Sequence, residues 1–377
     1  MNIPLSNPDI TEKEIEAVVS VLKTPNLSLG PKLQEFEQKF AAYIEARHAI
    51  AVNSGTSGLH LCMRALDIKD GDEVITTPFS FIASANCILF ERAKPVFVDI
   101  RQDTLNIDEN RIEEKITERT RAILPVHVFG YPCDMEKINR IAKKHGLAVV
   151  EDACETLGAE IKGRKTGTFG DCAVYAFYPN KQMTTGEGGM VVTNTDKIAD
   201  LARSMRNQGR DEGMGWLAHN RLGYNYRMSD INCALGISQL ERIKEILAKR
   251  EQVAKLYNQR LSEIEELVTP PMGNRDYCRS WFVYVIRLDD SFCQEQRDEI
   301  IKELRAQGVG CNVYFPAIHL QPFYRDSLGF KPGDFPITEK VSERTIALPF
   351  FNSLEENEVS QVVNTLKSII NKVKIHG

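Results

Sequence analysis

DCAVYAFYPNKQMTTGEGGMVVTN, residues 171–194, is the stretch around which this 377-residue chain is organised. An apolar, β-rich run (Cys172–Phe177) ends in a tight polar turn carrying a single lysine, Lys181. Three glycines follow (Gly186, Gly188, Gly189), then a second β-rich run, Met190–Thr193. A lysine is a poor choice for the mouth of a buried strand pair unless its amine is used. Desolvation disfavours the ammonium form and leaves a nucleophile that can condense with an aldehyde. A hairpin with a solvated lysine accounts for the same residues, so the choice rests on the rest of the chain.

Working outward, His48–Asn53 reads as a strand that breaks into NSGTSG (53–58), with helical periodicity over Leu59–Leu66. A strand, a Gly/Ser/Thr turn and a helix N-terminus together make an anion site, because free amides and the helix dipole point the same way. An ordinary strand-to-helix turn reads identically. Further apolar strands are expected at Glu73–Thr77, Pro95–Asp99, Ala122–Val128 and Ala148–Glu151. Helices are expected at Thr11–Leu22 (Thr11 and Glu14 forming a capping box), Lys32–Tyr43, Ser84–Phe90 and Met135–His145, the last closed by Gly146. Alternation of this kind predicts an α/β fold with a mostly parallel sheet covered by helices, whose ligands sit beyond the carboxyl ends of the strands. One long helix from Ser229 to about Glu263 is expected to lead out of it. A strand at Trp281–Arg287, a helix at Gln294–Gln307, short strands near Cys311–Tyr314 and at Thr345–Leu348, and a closing helix from Glu355 predict a smaller C-terminal α+β domain. The expected division is 1–248 and 249–377.

Composition narrows the function classes. A formal charge of −5 and no dense basic run leave no electrostatic footprint for nucleic acid. Nine cysteines lack metal-like spacing and fit reduced, mostly buried thiols, so neither a disulfide framework nor a metal site is expected. MNIPLSNPDI carries no charged-then-apolar leader, and no apolar run is long enough to cross a bilayer, so a cytoplasmic enzyme is expected.

The strand ending LAVVEDACETLG (147–158) delivers Asp152 to the same sheet edge, 29 residues before Lys181. Capping of the next helix is the plain reading of a lone Asp. As a pair, Lys181 and Asp152 suit pyridoxal 5′-phosphate (PLP), which needs an amine for its aldehyde and a carboxylate beside its pyridine nitrogen.

Eight stretches together resemble the DegT-type sugar aminotransferases, PLP enzymes of the aspartate aminotransferase fold (fold type I). They are SLGPKLQEFE (28–37), NSGTSGL (53–59), TTPFSFIASANCI (76–88), PVHVFGYPCDM (125–135), EDACETLGA (151–159), YAFYPNKQMTTGEGGM (175–190), LGYNYRMSDINCALG (222–236) and IHLQPFY (318–324). The resemblance implies that Lys181 binds the cofactor covalently and that Asp152 pairs with its ring nitrogen. Phe81 would stack on one ring face, with Glu155 against the other. Gly55 and Thr56 would hold the phosphate, which Asn225 would reach across the boundary of a homodimer. Tyr314 and His319 fall in the segment that lines the sugar-nucleotide cleft, although a structural role suits His319 equally. Arg227 could take a donor carboxylate or make a structural ion pair.

Two positions depart from the family pattern. Ala176 stands where many relatives carry a phosphate-binding serine, and Glu155 stands where glutamine or histidine is frequent. Relatives that act as dehydratases replace the lysine with histidine, whereas this chain retains Lys181. The implied activity is transfer of an amino group from L-glutamate to a nucleotide-linked ketosugar, a 4-keto-6-deoxyhexose feeding polysaccharide or glycan assembly. A 3-keto sugar, a keto-cyclitol and a PLP-binding regulator without turnover are the alternatives. An NAD-dependent oxidoreductase would want GxGxxG after the first strand, a spacing that GEGG does not fit.

Overall fold

The computed structural model describes residues 2–376 other than 212, 214 and 216. Two N-terminal helices, α1 (Glu12–Leu22) and α2 (Pro31–Ile44), precede the sheet. The sheet is entered at β1 (His48–Val52), followed by helix α3 (Gly55–Ala65), β2 (Glu73–Thr76), α4 (Ala83–Leu89), β3 (Lys94–Phe97) and β4 (Thr120–Ile123). Helix α5 (Met135–His145), β5 (Ala148–Asp152), two short strands β6 (Glu160–Ile161) and β7 (Arg164–Lys165), then β8 (Cys172–Ala176) and β9 (Gly189–Thr193) complete the series. Seven of these strands form one sheet in the order β1-β9-β8-β5-β4-β2-β3. It is parallel from β8 through β3, and only β9 runs against its neighbours β8 and β1.

This topology places the site. Asp152 pairs in register with Val174, so β5 and β8 deliver Asp152 and the Lys181 turn to one edge. Gly189, at the start of β9, lies between Val52 of β1 and Ala176 of β8. A Cβ on Gly189 would come within 2.7–2.8 Å of the Ser54 carbonyl and the Gly55 nitrogen. Glycine is therefore what allows the start of α3 to sit directly over the β8–β9 turn. The strands are apolar on both faces: Ile50, Val52, Val150, Val174 and Val191 are buried on one and Ala51, Tyr175, Met190 and Val192 on the other, as a sheet covered by helices on both sides requires.

Beyond helix α6 (Asp196–Arg206), α7 (Asp230–Glu241) and α8 (Ile243–Leu261) lead to an antiparallel sheet of β10 (Leu267–Val268), β12 (Tyr284–Leu288) and β13 (Thr345–Leu348). Its own core joins Tyr284, Ile286, Ile346 and Leu348 to α9 (Gln294–Ala306) and the last helix, Glu356–His376. Ile3, from the opposite end of the chain, is buried in this core and bridges to Val309. A third small sheet sets β11 (Tyr277–Cys278) beside β6 and β7.

Several expectations need correcting. The expected single helix Ser229–Glu263 is two helices, broken at Arg242, whose backbone (φ −96°, ψ 3°) is not helical. Arg242 is drawn towards the N-terminal segment, with hydrogen bonds to Asp9 (2.9 Å) and to Glu14 of α1 (3.0 Å). A one-residue break barely disturbs apolar spacing, so the periodicity reads straight through it. The Ala122–Val128 strand ends at Ile123, and Val128 lies in a 3-10 turn. Near Cys311–Tyr314 there is one isolated bridge, Asn312 to Ala347, in place of a strand. The strand expected from Trp281 starts at Tyr284. Among the described residues, no helix is long and apolar enough to cross a membrane.

Candidate active site

Lys181 follows β8 in a turn closed by its own amide donating to the Tyr178 carbonyl (2.9 Å). Its side chain is only 13 % exposed, and Nζ lies 3.6 Å from Glu155 Oε1 and 3.7 Å from the centre of the Phe282 ring. The ring face attracts the ammonium, and desolvation strengthens that attraction. Glu155 is itself buried, and its other oxygen accepts the Phe129 amide (2.8 Å). Burial pushes the Glu155 carboxyl above its ordinary range, an effect that Lys181 and the Phe129 amide only partly offset.

The turn is gripped from behind by residues the sequence analysis did not single out. Arg250, fully buried on α8, donates to the Lys181 carbonyl (3.0 Å) and the Phe282 carbonyl (3.1 Å). Arg279 donates twice to the Phe129 carbonyl (2.8 and 3.2 Å) and stacks 4.0 Å over Trp281. Neither guanidinium has a carboxylate partner among the described residues. Burial accordingly lowers Arg250 to about 10 and Arg279 to about 9. Gln182, next to the lysine, donates to the Glu155 carbonyl (2.6 Å) and to Ser280 (3.1 Å). Glu155 is thus held by Phe129 and Gln182, while Arg250 and Arg279, from later in the chain, hold the carbonyls of Lys181, Phe282 and Phe129. Arginine on a long helix reads as a solvated charge, and no local pattern marks Phe282.

Asp152 ends β5, with Oδ2 accepting the Ser84 hydroxyl (2.7 Å) and Oδ1 the Cys154 amide (3.2 Å). Ser84 in turn contacts Ser80 (2.8 Å). Next to it, Glu151 accepts the amides of Gly167, Phe169 and Gly170 at 2.6–2.7 Å and faces His127 Nε2 at 3.1 Å. His127 Nδ1 accepts the Cys133 amide, which puts the ring proton on Nε2, facing Glu151. This buried network anchors the end of β5, and with it the orientation of Asp152.

The helix expected from Leu59 starts four residues earlier, at Gly55, directly after β1. Ser54 caps it by accepting the Ser57 amide (3.1 Å). Among the described residues, the amides of Gly55 and Thr56 have no protein acceptor. A Cβ on Gly55 would lie 2.8 Å from the Ala176 Cβ and 3.1 Å from Cys154 Sγ, so α3 and β8 meet with no room to spare.

The remaining expected residues divide. Phe81 is 60 % exposed at the sheet edge and is no core aromatic. Tyr314 is brought to the lysine turn, where its hydroxyl accepts from Asn180 (3.2 Å), and burial raises it to about 12. Asn225 is exposed and its carbonyl accepts the Asn53 side chain (3.3 Å), which places it near the α3 end. Arg227 donates to Asn207 (3.1 Å) and bridges to Val52. His319 has no exposed surface. Its Nε2 is held by Glu339 (2.9 Å), and its ring packs on Phe335 in a satellite apolar cluster. A cavity of about 1140 Å³ lies elsewhere, with Glu37, His48 and Arg206 in its wall. The nine cysteines are free, and burial raises Cys133 and Cys154 out of the nucleophilic range. No group of three or more His, Cys, Asp or Glu among the described residues could hold a metal ion.

Residues 8–367 match the model of the DegT/DnrJ/EryC1/StrS aminotransferase family. The chain is 38 % identical to GDP-perosamine synthase of Caulobacter vibrioides over 370 residues, covering 98 % of each chain. It is 37 % identical to the spore coat polysaccharide biosynthesis protein SpsC of Bacillus subtilis over 378 residues, covering 98 % of this chain and 97 % of that one. The PLP-form of the putative sugar aminotransferase Spr1654 from Streptococcus pneumoniae superposes with a TM-score of 0.94 at 29 % identity, covering 99 % of this chain and 100 % of the other. The residues of this site fit PLP. Among the described residues the N-terminus of α3 offers two free amides for a phosphate, a held carboxylate sits at the end of β5, and a lysine amine lies in the turn after β8, which pairs with β5.

Proposed function

Because this chain belongs to the DegT/DnrJ/EryC1/StrS aminotransferase family, and is thus a PLP-dependent sugar aminotransferase, we propose that it carries an amino group from L-glutamate to a nucleotide-linked 4-keto-6-deoxyhexose. The observation that carries the reading is Lys181, retained and buried between Glu155 and Phe282 at the edge where β5 presents Asp152. When bound, PLP supplies an electron sink that makes a carbon–hydrogen bond beside nitrogen acidic.

The protein's own groups do the rest in this proposal. The Lys181 amine attaches the cofactor, is released when the amino donor arrives, and then takes and returns a proton at the reacting carbon. Asp152, locked by Ser84 and the Cys154 amide, would pair with the ring nitrogen. The Gly55 and Thr56 amides would hold the phosphate, and Phe81 and Glu155 would bound the ring. Among the described residues Arg227 uses one donor, on Asn207, and could offer the others to a carboxylate, and Tyr314, beside the turn, would line the sugar cleft. Asn225 and Phe81 are both exposed, and we assign their completion to a second copy of the chain in a homodimer with shared sites. We keep the expected division at 248/249 within this proposal. The names of the relatives above, a GDP-linked amino-sugar synthase and a coat polysaccharide protein, support a nucleotide-sugar acceptor and a glycan product.

The test is incubation with L-glutamate and a panel of UDP-, dTDP- and GDP-linked 4-keto-6-deoxyhexoses, with products identified by NMR. A 4-amino sugar formed in step with 2-oxoglutarate is expected. Amination of a 3-keto sugar or a keto-cyclitol, with none of any 4-keto acceptor, would replace this acceptor by one of those classes.

A further inference from the structure

Glu155 has a second use beyond bounding a cofactor ring. Its Oε1 is 3.6 Å from Lys181 Nζ, and both side chains are almost wholly removed from water, at 6 % and 13 % exposure. Its other oxygen takes the Phe129 amide, which orients the carboxylate, and its backbone carbonyl takes Gln182, which ties the residue to the lysine turn. The other ionisable groups facing this pair are Asp152 and Cys154 from the same strand end, Tyr314 from the C-terminal segment, and Arg279 beyond Phe129. None of these hydrogen-bonds to Nζ; Glu155 and the neutral face of Phe282 are what the amine meets.

We propose that Glu155 is the acid–base partner of Lys181, holding its ammonium form as an ion pair and accepting the proton from Nζ when the amine must be neutral. This inference rests on Lys181 being the lysine that binds the cofactor. In the transfer the Nζ–H bond breaks and an Oε1–H bond forms, its electron pair coming from the carboxylate, while the N–H pair remains on nitrogen. No redox change occurs and no further reactant is needed. A buried ion pair without solvent costs more than one at the surface, which brings the neutral amine–carboxylic acid pair within reach. Burial raises the Glu155 carboxyl, in the direction such an exchange needs. A lysine that must act as a nucleophile, then as a base, then as an acid thereby keeps its proton inside the site between steps.

The test needs neither sugar nor amino donor. Cofactor-free protein is mixed with pyridoxal 5′-phosphate across a pH series, reduced with borohydride, and the label on Lys181 is counted by peptide mass spectrometry. Only the neutral amine condenses, so the labelling rate reports the proton on Nζ. Glu155→Gln removes the carboxylate at nearly constant shape. Labelling at a fixed pH near neutrality should then run about tenfold faster, because an opposite charge at this range favours the ammonium. Glu155→Asp, which keeps the charge, should stay with the parent protein, and circular dichroism checks that each variant is folded. An unchanged rate in Glu155→Gln, or an equal gain in Glu155→Asp, would overturn the proposal while leaving Lys181 in its role. Label absent from Lys181 at every pH would overturn both. Failure of the sugar panel alone would touch neither.

Discussion

The lysine end of the site and the α3 end are built on opposite terms. Around Lys181 the chain satisfies itself: Glu155, Phe282 and Arg250, drawn from three separate parts of the sequence, close on one turn. At the start of α3, two amides are left free among the described residues, Asn225 is exposed, and Ala176 contributes no hydroxyl. The difference teaches where rigidity is needed. The reacting atoms must be held in place before any substrate arrives, whereas an anion can supply the missing partners of a helix N-terminus itself. It also explains why the open end is where we place the second subunit.

Four substitutions would break or sharpen that contrast. Lys181→Ala should abolish turnover, exceeding the roughly 10²–10⁴-fold loss expected from removing a positioned base alone, because attachment of the cofactor is lost as well. Steady-state transamination reads this directly. Gly55→Ala puts a methyl group 2.8 Å from the Ala176 Cβ, so α3 must shift off β8. PLP affinity should weaken by about tenfold, or roughly 1.4 kcal/mol, measured by equilibrium titration, with the lysine end unaffected in its borohydride labelling at saturating cofactor.

Glu155→Gln probes the buried end through stability. The Glu155 carboxyl is held above its ordinary 4.5 by burial. A carboxyl so raised keeps its proton in the folded chain where the unfolded chain has lost it. Its contribution is therefore full below about 4.5 and declines as pH rises through the folded value. Stability of the variant relative to the parent should climb over that window, by about 1 kcal/mol for each pH unit crossed, as read by urea unfolding of the cofactor-free proteins. The smallest effect is expected from Ala176→Ser, which returns a hydroxyl to the open end. PLP should bind about fivefold more tightly, the worth of one hydrogen bond of about 1 kcal/mol, with no change in the pH dependence of Lys181 labelling.

What was legible in the sequence follows the same division. The strand ends that carry Asn53, Asp152 and Lys181 could be located because each lies where an apolar run gives way to a polar turn, and a mostly parallel sheet brings such ends to one edge. Capping at Thr11 and at Ser229, and closure of α5 by Gly146, were likewise local and readable. The grip on the lysine was not. Arg250 and Phe282 reach Lys181 across 69 and 101 residues of sequence, and contacts at that range leave no period or spacing behind. The sheet of β6, β7 and β11 was missed because two-residue strands have no alternation to detect. The break at Arg242 was missed because its cause lies in Asp9 and Glu14, more than two hundred residues away. His319 shows the converse: a motif position that turns out enclosed and bonded to Glu339.

The central claim is that one lysine, held by its surroundings, is the reacting amine. Borohydride reduction of the PLP-loaded protein, followed by digestion and mass spectrometry, tests it most directly. The account predicts a single pyridoxyl label on Lys181, lost if L-glutamate is added before the reductant. Label on another lysine, or label on Lys181 that glutamate leaves in place, would contradict it.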